Sequence, residues 1–151
     1  MDSTDDLAMP FLLMSAFRGL VDAVHAELEA AGYPDVRAAH GFAMQAIGRG
    51  CTGVELAERL GVSKQAAAKT AHALERMGLI SRVQSPRDRR ERLLAPTARG
   101  EDMLRRSAAA FGRQIKDWRT RVGDDHVSAT LTTLAHATPG RRGPTDLSDW
   151  V

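Results

Sequence analysis

The chain has 151 residues, of which 43% are hydrophobic and 26% charged, and its formal net charge at pH 7 is +2. This length supports one domain with a core, or two small lobes that share one, and the composition is ordinary for a soluble globular protein. No uninterrupted run of about 18 apolar residues is present, which argues against a transmembrane helix and membrane contact. The acidic N-terminus argues against a signal peptide and the single Cys51 fits a reducing compartment, so we expect a cytoplasmic protein.

Charge is distributed unevenly along the chain. Residues 1–31 hold six acids and one base, a local charge of −5, whereas residues 63–92 hold eight bases and three acids, a local charge of +5. A concentrated basic region favours a partner of opposite sign, and nucleic acid is the first candidate. A merely solvated basic face is the alternative.

Two helices are predicted in the first third of the chain. Apolar residues recur at helical spacing over residues 7–31, and Gly32 and Pro34 end that pattern. Asp35 is a suitable N-cap for a second helix over residues 36–48, whose apolar pattern is weaker.

The next segment predicts a helix-turn-helix motif. A short helix over 53–60 stops at Gly61, and a second helix over 64–76 has Ser63 as N-cap and Gly78 at its end. One narrow face of this second, recognition helix is small and apolar: Ala67, Thr70, Ala71 and Leu74. The opposite face is polar: Gln65, Ala68, Lys69, His72 and Arg76. Small residues allow close packing on the neighbouring helix, so the polar face is free to enter a DNA major groove about 12 Å wide.

A β-hairpin, or wing, is predicted after Gly78. Residues 79–84 alternate like a strand, residues 85–92 form a charged turn, and a strand returns at Leu93 and Leu94. At the tip, Arg87, Arg89 and Arg90 have the side chains that favour a narrow minor groove. We expect Asp88 to hold a neighbouring guanidinium in one rotamer. A solvated loop is the alternative.

Two further helices complete the chain. The first covers 98–121 and is capped by Thr97; the second covers 124–137, and residues 138–151 form a tail. The long helix carries a seam of apolar residues spaced four and three apart: Leu104, Ala108, Phe111, Ile115, Trp118 and Val122. The last helix carries Val127, Leu131 and Leu134. Such a seam pairs helices, either between two copies or within one chain.

Residues 53–100 resemble the winged helix-turn-helix of the MarR family of bacterial regulators. Asp88-Arg89-Arg90 matches the D-x-R signature of the family's wing, and Thr97 and Gly100 match the residues that open the helix after it. One departure is Pro96, which stands where the family usually has leucine and leaves the exit of the second wing strand open. The resemblance implies a mainly α fold with a small β-wing.

The same resemblance implies how the chain is divided and what it does. Residues 32–97 would form the winged helix-turn-helix DNA-binding lobe, and residues 7–31 with 98–137 a helical dimerisation lobe. The protein would be a homodimeric transcriptional repressor on a pseudo-palindromic operator in double-stranded DNA. The expected DNA contacts are Ser63, Lys64, Gln65, Ala68, Lys69, His72, Arg87, Asp88, Arg89 and Arg90. In this scheme Arg90 enters the minor groove and Asp88 orients it. The expected dimer contacts are Leu104, Ala108, Phe111, Ile115, Trp118, Val122, Leu131 and Leu134.

Many members of the family release DNA when a small aromatic or phenolic acid binds between the lobes. Residues that would border such a pocket here are Met14, Phe17, Arg18, His40, Phe42, Met44 and Trp118. For the apolar ones core packing is the competing interpretation. Arg18 would answer an anionic ligand, or would pair with Asp22 one helical turn away.

Three other interpretations are weighed against this one. The first is a winged-helix module that binds another protein and no DNA. The basic recognition face and the intact wing argue against it. In a redox-responsive regulator the cysteine would lie in the first helices, whereas Cys51 follows the second helix, which favours an inert thiol. In a metal-responsive regulator the histidines would be clustered, but His25, His40, His72, His126 and His136 are scattered, so we expect neither a metal site nor a cofactor. The chain carries no catalytic motif, and we do not expect an enzyme.

Overall fold

The structure is a computed structural model, and it describes residues 3–137. The tail predicted at 138–151 lies outside these residues. The elements in chain order are α1 Ser3–Ala30, α2 Ala38–Ile47, α3 Gly53–Leu60, α4 Lys64–Arg76, β1 Ile80–Gln84, β2 Arg92–Pro96, α5 Ala98–Val122 and α6 Asp124–Ala137. The predicted mainly α winged-helix fold with a two-stranded wing is therefore confirmed.

The first two helices begin at other residues than the sequence predicted. Helix α1 already starts at Ser3 and continues through Pro10. Helix α2 starts at Ala38 with Arg37 as N-cap, so the assignment of Asp35 as N-cap was wrong. The reason is that Val36 is turned into the core, with 4% of its surface exposed, and the chain stays extended through Arg37. His40 Nδ1 then accepts a hydrogen bond from the Arg37 amide at 3.0 Å.

The helix-turn-helix has the predicted ends because its caps are local in sequence. Gly61 ends α3 with φ +65°, a left-handed conformation that glycine adopts without strain. Ser63 Oγ accepts a hydrogen bond from the Ala66 amide at 3.1 Å and so caps α4. On α4, Ala67, Ala71 and Leu74 are buried. The alanine-rich face therefore packs inward, as predicted.

The wing is an antiparallel pair in which Ile80 lies opposite Pro96 and Gln84 opposite Arg92. Pro96 is the last residue of β2, a position where a missing N–H is tolerated, and Thr97 N donates to Leu79 O at 3.0 Å just beyond it. The leucine-to-proline departure thus leaves the strand exit intact. On the other side of β2, Cys51 and Leu94 form a short antiparallel bridge through both backbone amides, at 3.0 and 2.7 Å.

Most of the core lies beneath the helix-turn-helix. The largest fully buried side chains are Leu28, Met44, Ile47, Leu56, Leu60, Leu74, Leu79, Leu94, Met103 and Cys51. Helix α5 starts directly on this core: a Cβ added at Gly100 would lie 2.0 Å from Leu79 O, so only glycine fits there. Helix α5 also packs along α1 and against α6.

Helix α1 has an unusual surface for a single chain. Over Asp6–Ala30 it is long and apolar enough to cross a membrane by length and composition, the one such helix in the part of the chain that is described. The expectation of no membrane span rested on the lack of an uninterrupted apolar run, whereas this helix contains an 18-residue apolar window with at most two charged residues. Only 6% of that window is buried within the chain, so α1 has an apolar surface that the monomer leaves uncovered.

Candidate nucleic-acid interface

The polar face of α4 is exposed along its whole length. Ser63, Lys64, Gln65, Ala68, Lys69 and His72 are all exposed, while the other side of the helix is buried. Two ammonium groups and one amide are thus presented by a rigid, capped helix. Lysine donates to guanine edges or phosphates, and glutamine is suited to bidentate contact with adenine.

The wing tip presents the four predicted residues Arg87–Arg90 to solvent, on a loop that hydrogen bonds define closely. Ser85, which is 5% exposed, donates its amide to Glu91 O at 3.0 Å, and its Oγ accepts from the Arg87 amide at 3.2 Å. Gln84 Nε2 donates to Arg89 O at 3.2 Å. These hydrogen bonds fix the backbone conformation of the basic tip.

Asp88 acts on this turn differently from what the sequence suggested. Its Oδ1 accepts a hydrogen bond from the backbone amide of Arg90 at 2.9 Å. The carboxylate thus orients Arg90 through the main chain, not by holding its guanidinium. This is the usual behaviour of aspartate in a turn, where the side chain bonds the backbone two residues on.

An ion pair that the sequence analysis missed connects the wing to α4. Arg82 Nε on β1 lies 2.7 Å from Glu75 Oε1 near the end of α4, and both side chains are partly exposed. The two residues are neither one helical turn apart nor opposite each other in the hairpin, so no sequence spacing indicates the contact. It ties the two elements with predicted DNA contacts to each other.

A cavity of ≈160 Å³ lies between α1, α2 and α5. Of the seven residues predicted to border a ligand pocket, Phe17 and Phe42 line it, and their rings stack at a centroid distance of 6.2 Å. The five that do not line it are Met14, Arg18, His40, Met44 and Trp118. Met44 on α2 is fully buried in the core, whereas Met14 on α1 is 51% exposed.

Several cavity residues were missed as ligand contacts. Leu104, Ala108 and Phe111, predicted as dimer contacts, line the cavity from α5. His25 and Arg37 also lie in its wall. Helical spacing on α1 and α5 was the available sequence signal for these residues. It shows which residues share a face of a helix, but not what that face contacts.

Burial favours the neutral form of two histidines near the cavity, His25 and His40. Burial, followed by the nearby Arg37 guanidinium, lowers the pKa of His25 below its usual 6.5. The same two causes, in the same order, lower the pKa of His40. Arg37 is therefore the cation of the cavity wall, and His25 offers an uncharged imidazole.

Within residues 3–137, most of the exposed large apolar residues lie on α1, at the end of α5 and on α6. On α1 the large apolar residues with at least 42% exposure are Leu7, Met9, Phe11, Leu12, Leu13 and Met14. In the predicted dimer set, Val122, Leu131 and Leu134 are 57%, 48% and 44% exposed. Leu104, Ile115 and Trp118 are half-buried, whereas Ala108 and Phe111 are exposed despite their place in the cavity wall. Residues 7–31 were predicted to belong to the dimerisation lobe, but none of these α1 residues was named as a dimer contact.

Cys51 is fully buried, and burial raises the pKa of its thiol above the usual value, with the charge of Arg59 opposing the shift. A reactive cysteine needs a stabilised thiolate, and this site disfavours one. Across residues 3–137, no group of three or more His, Cys, Asp or Glu side chains is placed to hold a metal ion.

Comparison with known proteins gives a family match and a set of similar folds. A model of the MarR family matches residues 42–91. No curated protein matches the chain.

Three solved structures illustrate the similarity of the fold. YusO from Bacillus subtilis has a TM-score of 0.66 and 19% identity, with 93% of this chain and 100% of that chain covered. FabT from Streptococcus pneumoniae, in complex with DNA, has a TM-score of 0.72 and 20% identity, with 87% and 93% covered. A mutant MarR from E. coli, complexed with operator DNA, has a TM-score of 0.63 and 21% identity, with 91% and 98% covered.

At these identities the solved structures show a shared fold, while the family match covers α3, α4, β1 and the wing tip and ends before β2. Residues 88–90 lie within the matched segment, whereas Thr97 and Gly100 lie beyond it. Residues 42–91 thus match the MarR family model, and the chain shares its fold with solved structures of MarR-family regulators.

Proposed function

We propose that this protein is a sequence-specific DNA-binding repressor that works as a homodimer in the cytoplasm and leaves its operator when a small aromatic ligand binds. The observation that carries the proposal is the geometry of α4: its alanine face is buried and its whole polar face is exposed. DNA in two solved structures of the same fold, described as operator DNA in one of them, supports the assignment of the partner.

On DNA the exposed face of α4 enters the major groove. Gln65 reads adenine, and Lys64 and Lys69 bond guanine or phosphate. Ser63 and the first amides of α4 lie where a helix N-terminus favours a phosphate. The wing arginines take the adjacent minor groove, and a two-fold dimer reads half-sites about 10 base pairs apart.

The test is selection of duplexes from a random library, followed by affinity measurements at several salt concentrations. A palindromic sequence should be enriched, and affinity should fall steeply with salt because phosphate contacts release counterions. Lys69→Gln should weaken binding by about 1 to 3 kcal/mol. Lys116→Gln, the same change at an exposed site on α5, is the control.

Failure to enrich any duplex would reject the DNA-binding proposal and favour the protein-interaction module. Equal losses in both lysine variants would show that the effect is general charge and not contact by α4.

The homodimer follows from the uncovered apolar surface of α1, together with α5 and α6. Exposed leucine and phenylalanine side chains on one helix are costly in water, at about 25 cal/mol per Å². A second copy of the chain buries them by symmetry. Insertion of α1 into lipid is the competing way to cover the same residues, and the protein would then need detergent or vesicles to remain in solution.

The proposed effector site is the cavity between α1, α2 and α5. Its ≈160 Å³ is close to an engineered apolar cavity of about 150 Å³ that accommodates benzene, so one aromatic ring fits. The Phe17–Phe42 pair supplies a stacking surface, and Arg37 supplies a cation for a phenolate or carboxylate. Phenol and benzoic acid should raise the melting temperature and weaken operator binding.

Ala108→Phe, which fills the cavity from α5, should abolish both responses to these ligands. Because Ala108 is also a predicted dimer contact, sedimentation velocity first establishes that the variant is still a dimer. Ala109→Phe, one residue further along α5 and exposed outside the cavity wall, is its matched control. An Ala108→Phe variant with the unaltered ligand response would place the effector elsewhere.

A further inference from the structure

Arg99, near the start of α5, bonds to the ends of two other helices. Its Nη2 donates to Gly32 O at 2.8 Å, just past the end of α1. Its Nε donates to Met77 O at 3.3 Å, at the C-cap of the recognition helix α4. The Arg99 side chain therefore links the C-terminal end of α1 to the C-terminal end of α4.

The position of this arginine is unfavourable for α5 alone. It is the second residue of α5, and a cation in the first turn opposes the helix dipole. Its charge is instead favourable at the C-terminal carbonyls of α1 and α4, which carry the negative ends of their dipoles. Arg99 thus goes against the charge preference at the start of α5, and its favourable contacts are with the ends of two other helices.

Two neighbours hold the guanidinium in place. Its Cζ lies 4.3 Å from the ring centroid of Tyr33, a cation–π arrangement. The Tyr33 hydroxyl in turn donates to Asp102 Oδ2 at 2.5 Å. Both partners lie outside α4, on the segment after α1 and on α5, so the arginine is anchored on the side of the long helices.

We propose that Arg99 is a positioning residue that sets the angle of the recognition helix against α1 and α5. The inference rests on the proposed function, because its consequence is the separation of two recognition helices in a dimer. Half-site spacing in the operator is then determined by Arg99 as well as by the dimer contact. The planar fork is essential, since Nε and Nη2 reach the two carbonyls from separate nitrogens, whereas lysine has a single nitrogen.

The first experiment measures binding to operators with altered spacing. The duplex selected by the unaltered protein is compared with versions that have one base pair added to or removed from the centre. Arg99→Ala should bind the selected duplex about tenfold more weakly, the loss expected for one charged hydrogen bond. Its discrimination between the three spacings should also fall, which loss of stability alone would not cause.

Arg99→Lys and Arg105→Ala are the two comparisons. If the two guanidinium hydrogen bonds are responsible, Arg99→Lys should bind DNA as weakly, and discriminate between spacings as poorly, as Arg99→Ala. Normal binding and spacing preference in the lysine variant would overturn the bridging role. Arg105 is on the same helix and pairs with Asp102 at 2.6 Å, so Arg105→Ala removes the same charge without touching α4. Its spacing preference should be that of the unaltered protein, and an equal loss there would refute the assignment.

A second experiment separates this inference from the DNA-binding proposal. Spin labels at Ala68→Cys on α4 and Ala109→Cys on α5, both exposed positions, report the distance between the two helices within one chain. The labelled chain is diluted with unlabelled protein so that distances between chains do not contribute. Arg99→Ala should broaden or shift the distribution of distances even if no duplex binds. An unchanged, narrow distribution would refute the positioning role whatever the result with DNA.

Discussion

The hydroxyl of Tyr33 donates a 2.5 Å hydrogen bond to Asp102 Oδ2, across 69 residues of sequence. Asp102 also pairs with Arg105 and Arg106 on its own helix, at 2.6 and 2.7 Å. Tyr33 is buried, whereas the carboxylate remains accessible to water. The pair joins the segment after α1 to α5, beside the guanidinium of Arg99.

This contact predicts how stability responds to acid. The Tyr33 hydrogen bond, followed by that of Arg106, lowers the pKa of Asp102 from 3.8 to about 2. The ionised carboxylate is thus favoured in the folded state, and its contribution is present above about pH 3.8 and lost as pH falls toward 2. Tyr33→Phe removes the largest cause and keeps the ring, so urea midpoints across this window should fall less steeply than in the unaltered protein. Asp102→Asn is the reference, because its side chain does not titrate. If the urea midpoint of Tyr33→Phe falls with pH as steeply as that of the unaltered protein, the explanation is disproved.

Gly100→Ala tests the close approach of α5 to the core. The added Cβ would meet Leu79 O at 2.0 Å, so α5 or the backbone at Leu79 must shift, and we expect a loss of about 3 kcal/mol or more in unfolding free energy. Gly112→Ala is the same change within α5 where no atom lies within 4 Å. It should stabilise by up to about 1 kcal/mol, because alanine is the better helix former. Similar urea midpoints for the two variants would contradict the packing argument.

The wing aspartate gives a prediction that separates two roles. Asp88→Asn keeps an oxygen that accepts from the Arg90 amide, whereas Asp88→Ala does not. If the carboxylate orients Arg90 through the backbone, the Asn variant should bind the selected duplex as tightly as the unaltered protein or more tightly. The Ala variant should bind about fivefold more weakly, measured by fluorescence anisotropy. An Asn variant as weak as the Ala variant would show that charge on Asp88 is what counts.

The dimer proposal predicts an effect far from the recognition helix. Phe11 and Leu12 on α1 are 73% and 64% exposed in the single chain. Replacing both with glutamine should weaken dimerisation by about tenfold or more in sedimentation velocity, because large apolar anchors dominate interfaces. Val54→Gln, at a residue that is 48% exposed on α3, serves as the control and should leave the dimer intact. A dimer that survives the double replacement would place the interface elsewhere, and flotation with vesicles that the double variant loses would favour lipid as the cover of α1.

Much of the fold around α3 and α4 was predictable because its signals are local. Thr52 and Ser63 cap the two helices within three residues of their own position, and Gly61 and Gly78 adopt positive φ where the helices end. The charged turn between two short extended runs indicated the wing in the same way. Periodicity on α4 also identified its buried face, since α3, its neighbour in sequence, provides the main packing surface.

Other features depended on which helices meet. Helical spacing grouped Leu104 and Phe111 with the exposed Val122, although the first two line a cavity with Phe17 and Phe42. No α1 residue was named as a dimer contact, although residues 7–31 were assigned to the dimerisation lobe. Spacing shows that side chains share a face, but burial depends on the element opposite.

The sequence by itself determined the capped recognition helix, the basic wing and the family resemblance, because caps, turns and periodicity act over a few residues. Only the tertiary structure decided that Arg99 joins the ends of α1 and α4, that Asp88 bonds to the backbone of Arg90, and that two aromatic rings from α1 and α2 face each other. The ion pair between Glu27 on α1 and Arg113 on α5 joins residues 86 positions apart. The geometry of these contacts follows from how the helices pack, which no local pattern encodes.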